Sequence, residues 1–241
     1  MEKYDSLYYY SESLNRKTEI LYVINDESYP TLIMLHGLGG SNIDWLSKTD
    51  IIPLSETYKY NILCPDGEDS FYINDYAEYI STELLDFAEE KLGMHDFAIG
   101  GLSMGGYGAM INGLLAPSRF SHILSFSGAM PVYKHERILK EGGLTSEDEA
   151  YRLRTFGPFD QIRGSYKDPE FLIARSRDIL PPIYLCCGLQ DSHIPDTRDF
   201  IAALKKLPID FTYVENEGKH NWEYWSKMLK PALDWMISKK R

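Results

Sequence analysis

Residues 31–35 read TLIML and run straight into His36-Gly37, an apolar stretch without the alternation of a half-exposed strand. Such a strand has no face for water and must be covered on both sides, the condition of a parallel sheet between two helical layers. The same character returns at 61–64, closed by Pro65-Asp66-Gly67, and at 97–102, 122–126, 183–187 and 211–214. Between these runs lie stretches of helical character: 76–92, stopped by Gly93; 107–115, ended by Pro117; 195–207; and 222–237. Strands alternating with helices of this length imply right-handed crossovers and a mostly parallel sheet. The opening forty residues mix Tyr, Ile and Val with turn residues and read as antiparallel strands.

The rhythm breaks once. Residues 131–181 are charged, contain glycine and are only partly periodic, which fits a cap or lid inserted into one domain spanning 1–241. One ordinary crossover helix with long connections is the alternative. Composition agrees with a globular chain, at 44% hydrophobic and 25% charged residues. The net charge of −11 argues against nucleic acid and anionic membranes as partners, since both select a basic face. No segment approaches the ~20 apolar residues of a membrane span, and MEKYDSLYYYSESLNRK holds no apolar stretch of a signal peptide. The three cysteines are Cys64, Cys186 and Cys187, an odd count with two adjacent, which makes a poor disulfide framework. A reducing cytoplasm is expected, with the adjacent pair packed inside the 183–187 strand.

Gly101-Leu102-Ser103-Met104-Gly105 is a G-x-S-x-G pentapeptide. Alone it is weak evidence, because glycine and serine are common. Its place, where a buried strand ends and a helix begins, gives it weight. A sharp turn there strains the serine backbone, and the flanking glycines remove the Cβ atoms that would collide. Ser103 Oγ is then lifted above the sheet edge, at a helix start whose N–H groups favour negative charge.

A serine hydroxyl needs a base within hydrogen-bond reach. Of six histidines, His220 lies between the last strand and the last helix, at the carboxyl edge of the sheet where side chains meet the nucleophile. The base needs a carboxylate in turn. Asp191 follows the 183–187 strand, giving the chain order Ser, Asp, His. Asp196 and Asp199 fall in the next helix, Asp196 as a helix-start residue, and His193 shares the Asp191 loop. Acyl transfer also needs donors for the oxyanion. The Met104 N–H is one, and the loop His36-Gly37-Leu38-Gly39-Gly40-Ser41 supplies the other, from Leu38 first and Gly39 second. His36 reads as a structural histidine at the strand end.

The set HGLGGSNIDW, GLSMGGYGAM, CGLQDSH and EGKHNWEYW resembles the esterase D branch of the α/β hydrolases from about residue 30 onward. That branch holds S-formylglutathione hydrolases, tributyrin esterases, feruloyl esterases and mycolyltransferases, and the likeness is greatest to small bacterial tributyrin esterases. The resemblance implies an α/β-hydrolase fold, with a mostly parallel central sheet, helices on both faces and a small cap insertion. It implies a metal-free serine carboxylesterase of short-chain acyl esters with Ser103, Asp191 and His220 as triad and Leu38 and Met104 as oxyanion donors. Where S-formylglutathione hydrolases carry Ser-Gly-Leu-Thr-Cys, this chain has His-Gly-Leu-Gly-Gly.

Trp45, Phe71, Tyr72, Tyr107, Trp222 and Trp225 lie in or near these loops. Trp45, Tyr107 and Trp222 are candidates for the substrate pocket, and Trp225 for the core. No pair of His or Cys shows ligand spacing and no phosphate-binding glycine loop follows the first strand, so neither metal nor cofactor is expected. The expected partner is a small ester, and exposed cap surfaces would suit a homodimer. An S-formylglutathione hydrolase or feruloyl or acetyl esterase, an acyltransferase of the same branch and a non-catalytic binding protein are the alternative readings, with a thiol enzyme using Cys186 or Cys187 more remote. Ser103→Ala is expected to lose at least ~10³-fold in turnover with the fold intact. Kinetics beside circular dichroism check this, and full activity would remove Ser103 from the role.

Overall fold

In the computed structural model, which describes residues 3–141, 146–176 and 179–239, apart from the side chains of 138–141 and 146–148, eight strands form one sheet. They are β1 (Asp5–Ser11), β2 (Arg16–Val23), β3 (Thr31–Leu35), β4 (Asn61–Pro65), β5 (Ala98–Leu102), β6 (Ile123–Phe126), β7 (Ile183–Gly188) and β8 (Phe211–Asn216). Their spatial order is β1-β2-β4-β3-β5-β6-β7-β8. The β1–β2 hairpin joins β4 antiparallel, and every pairing from β4 across to β8 is parallel.

The unbroken apolar runs are explained by burial on both faces. Ile33, Leu35, Ile99, Ile123 and Leu185 pack into one core with helices α3 (Asp75–Glu78), α4 (Leu84–Leu92), α5 (Met104–Leu115) and α9 (Ile194–Leu204). Their neighbours Leu32, Met34, Ala98, Leu124 and Cys186 pack on the opposite face with α1 (Asp44–Lys48), α2 (Ile51–Tyr58) and α10 (Trp222–Ser238). Helices α1 and α2 are too short for a periodic signal. The expected 76–92 helix is interrupted by a π turn, Tyr79–Glu83, whose Glu83 carboxylate accepts Ser11 Oγ–H and the Glu12 and Ser13 N–H groups. Helix α5 begins at Met104, earlier than its apolar period, because its first turn is Met-Gly-Gly.

Between β6 and β7 the chain forms α6 (Pro131–Glu141), α7 (Ser146–Phe156), a 3₁₀ turn (Phe159–Gln161) and α8 (Pro169–Arg175). Residues 142–145 and 177–178 of the expected cap lie outside the described residues. The segment is tied down by polar contacts. Arg137 bonds Asp196 and Asp199 of α9, Asn74 bonds Tyr166 and the Thr155 carbonyl, and Tyr107 Oη donates to the Lys167 carbonyl. All three cysteines are buried free thiols, and burial pushes Cys187 up to about 12 and the other two higher still, so the thiol alternative has no reactive group. Among the described residues, no helix is long and apolar enough to cross a membrane.

Backbone meets backbone closely at the junction of β5 and α5. A Cβ on Gly101 would stand 2.4 Å from the Gly105 carbonyl oxygen, and one on Gly105 would stand 2.3 Å and 2.5 Å from the Leu35 and His36 oxygens. Both contacts are backbone, which cannot swing aside. Gly105→Ala is therefore expected to cost about 1–3 kcal/mol or more of stability, read as a lower urea midpoint at unchanged slope. An unchanged midpoint would mean that β3 and α5 separate freely.

Candidate active site

Ser103 occupies the turn between β5 and α5 with φ 52° and ψ −116°, in the region L-residues normally avoid. It is pinned there: its N–H donates to the Phe126 carbonyl (2.9 Å), while its own carbonyl accepts from Tyr107 N–H (3.1 Å) and Ala129 N–H (2.9 Å). Its Oγ lies 3.0 Å from His220 Nε2, and His220 Nδ1 lies 3.0 Å from each Asp191 carboxylate oxygen. These separations suit a hydroxyl, a base and a carboxylate that orients the base.

Local sequence places the other two members. Asn221 caps α10, its side chain accepting the Tyr224 N–H (3.1 Å), which fixes His220 immediately before the helix. Asp191 sits in a tight turn after β7, its N–H donating to the Gly188 carbonyl (3.1 Å). The two loops are stitched together by Gln190 N–H on the Gly218 carbonyl (2.9 Å) and Gly218 N–H on Gln190 Oε1 (2.9 Å). Burial alone would raise the Asp191 pKa. The His220 ring and the His193 N–H (2.8 Å) outweigh it and hold the carboxylate below its ordinary range, so it stays ionised. His220 itself is held between the face of His193 (centroids 4.5 Å apart, planes 13° apart) and Trp225, which meets it at 88°. Burial, followed by the His220 charge, pushes the His193 pKa down, so His193 presents a neutral face.

Elimination narrows the candidate oxyanion donors. Gly39 N–H is taken by the Asp69 carboxylate (2.7 Å) and Gly40 N–H by the Gly37 carbonyl (3.0 Å). Leu38 N–H and Met104 N–H, the latter at the start of α5, have no acceptor among the described residues. His36 is structural, as expected: fully buried, with Nδ1 2.8 Å from the Gly37 carbonyl and Nε2 accepting Gly67 N–H (2.9 Å). Tyr72 Oη donates to the His36 carbonyl (3.2 Å) and completes the support of the loop.

Two cavities meet at Ser103 and Leu38. One, of about 230 Å³, is walled by Phe71, Pro131, Tyr151 and Phe156 with Lys134, Arg152 and His193. The other, of about 200 Å³, runs past His220 to Asp44, Lys48, Trp222 and Trp225. Of the aromatic pocket candidates, only Trp222 lines a cavity. Trp45 is fully buried behind it, edge-on at 5.4 Å, with Nε1–H on the Leu35 carbonyl, and belongs to the core. Tyr107 is equally buried, behind Phe71 and Phe156. Both expectations are corrected for the same reason: nearness in sequence to a catalytic loop does not fix which way a ring points. The stacked His193 was legible only as a neighbour of Asp191, and the walls from α6 and α7 carried no motif. A hollow of about 360 Å³ between Gln190 and Lys227 touches none of Ser103, Asp191 and His220.

Residues 11–236 match the model of the Esterase family. The chain is 33% identical to the acetyl esterase of Caldicellulosiruptor saccharolyticus, over 95% of this chain and 96% of that one. Its fold is similar to a fluorophosphonate-binding serine hydrolase of Staphylococcus aureus (TM-score 0.84, 23% identity, 97% and 98% of the two chains). It is similar also to the S-formylglutathione hydrolase of that organism (TM-score 0.83, 23% identity, again 97% and 98%). These likenesses establish the α/β-hydrolase fold.

Behind the larger cavity, His135 of α6 stacks on Phe159 (3.8 Å) and lies 2.6 Å, through Nε2, from Arg152 Nη1 of α7. Burial, then the charges of Arg152 and Lys134, lower its pKa from 6.5 to about 3. Below pH 6.5 only the unfolded chain takes up this proton, so the His135 contribution is complete above that pH and falls as pH drops toward 3, by at most ~1.4 kcal/mol per unit. The His135→Phe variant is expected to show a shallower loss of stability between pH 6.5 and 4.5 in urea denaturation. Equal slopes would mean that the ring is protonated in the fold.

Proposed function

The chain belongs to the Esterase family, and from that premise we propose that this carboxylic ester hydrolase cleaves short acyl esters, acetyl esters foremost. The reading rests on one observation, the unbroken chain from Ser103 Oγ through His220 to Asp191, with 3.0 Å at each step. His220 takes the Ser103 proton as Oγ attacks the ester carbonyl, and Asp191 holds the imidazole in place and stabilises its charge. Leu38 and Met104 N–H groups receive the oxyanion. His220 then protonates the leaving alcohol, and water repeats the sequence to free the acid. Cavities of about 230 and 200 Å³ favour small groups on either side of the scissile bond. In this reading residues 131–181 form the cap over one domain, and the buried thiols suit a reducing cytoplasm.

The test is hydrolysis of p-nitrophenyl esters from acetate to decanoate by the protein and its Ser103→Ala variant, with tributyrin, S-formylglutathione and methyl ferulate alongside. The expected result is Ser103-dependent turnover that is highest for short chains. A thioester or ferulate rate far above the rest would move the substrate to that class. Transfer of the acyl group to added glycerol in place of water would make the protein a transferase.

A further inference from the structure

His36 is held by its ring nitrogens, which meet the Gly37 carbonyl and the Gly67 N–H. His193 is held differently. Its backbone is fixed at the start of α9, with its N–H on Asp191 Oδ1 (2.8 Å) and its carbonyl accepting Thr197 N–H (2.9 Å). Its ring nitrogen Nδ1 is buried and has no hydrogen-bond partner among the described residues. What the ring does meet is the face of His220, 4.5 Å away between centroids and 13° from parallel, while Trp225 stands at right angles to His220 at 4.9 Å. A buried nitrogen left unpaired costs stability, so the ring is placed there for its face and not for that bond. The charge behind that face matters, because His220 becomes a cation each time it takes the Ser103 proton. A charged neighbour at this distance opposes that step, whereas a neutral π system within about 6 Å attracts the cation. His193 is of the neutral kind. Burial first, then the positive charges of His220, Lys134 of α6 and Arg152 of α7, outweigh Asp191 and push its pKa down to about 4.

Resting on the esterase reading, we propose that His193 is a positioning residue for the reaction: its stacked ring holds the His220 imidazole in line between Ser103 and Asp191 and stabilises the imidazolium that forms there. The route of the proton is unchanged. It passes from Ser103 Oγ to His220 Nε2 and on to the leaving alcohol, and His193 neither gains nor loses one. The one interaction then has two consequences of the same size. It raises the pH at which free His220 is protonated, and it lowers the barrier to acyl transfer, because both states carry the same cation.

The experiment compares His193→Leu, which keeps bulk without a π face, with His193→Phe, which restores the face. Neither removes the backbone N–H that bonds Asp191, so the ring is tested alone. With p-nitrophenyl acetate, His193→Leu is expected to lower kcat about three- to tenfold on the pH plateau, with KM within about twofold. The acid limb of its kcat/KM profile should move down by about half to one pH unit, the same effect read as a pKa. His193→Phe should return the limb to within about 0.2 units of the wild type and recover most of the rate. A loss through packing alone lowers kcat and leaves the limb where it was. An unmoved limb in His193→Leu, or a limb as low in His193→Phe as in His193→Leu, overturns the proposal. The wild-type protein supplies a reading that needs no variant. In a nitrogen-15 NMR titration His220 should take up its proton while His193 stays neutral down to about pH 5, and the opposite order also overturns the proposal. Failure of the esterase reading would look different, as no Ser103-dependent hydrolysis of p-nitrophenyl acetate by the wild-type protein.

Discussion

Residue 105 stands so close to the end of β3 that a Cβ there would lie 2.3 Å from the Leu35 carbonyl oxygen. The remainder of the site follows from that approach. It brings the first turn of α5, which carries the Met104 N–H, against the end of β3 and the loop that carries the Leu38 N–H. It also compels Ser103 into positive φ, with its backbone locked by Phe126 and Ala129 so that the strain is not relieved by rotation. The hydroxyl is thereby fixed at the sheet edge before any other catalytic group is considered.

The base and its carboxylate are set by a second, independent piece of packing. The loops after β7 and β8 are joined through Gln190 and Gly218, which fixes the Asp191 loop against the His220 loop. A buried carboxylate would ordinarily be costly, and here two hydrogen bonds keep it ionised. His193 and Trp225 leave His220 little freedom to rotate away from Ser103. The carboxylate's charge and the position of the ring are therefore set by the fold itself.

The segment between β6 and β7 supplies what the sheet does not, the outer wall of the larger cavity. It is anchored by Val132, Tyr133, Phe156, Ile162, Leu172 and Ile173, which join the core on the α5 face, and by the polar contacts of Arg137 with α9 and Asn74 with the 155–166 stretch. Its contribution to the site is correspondingly one of charge and shape, from Lys134, Arg152, Tyr151 and Phe156.

The sequence by itself determined the sheet and the turn that carries Ser103. Runs such as TLIML can be satisfied only by a strand covered on both faces, and Gly-x-Ser-x-Gly at a strand end admits few other conformations. Both constraints are local, because burial pattern and Cβ sterics act over a handful of residues. The Ser103 turn was legible for that reason, whereas Asp191, His220, Leu38 and Met104 were read as candidates from their places after strands and at the helix start. Only the tertiary structure decided that Trp45 and Tyr107 turn into the core, that His193 stacks on His220, that Asp69 occupies the Gly39 N–H, and that α6 and α7 bring two cations to Ser103. Those outcomes depend on groups far apart in the chain competing for the same space and the same hydrogen bonds, and no local period or motif records which of them meet.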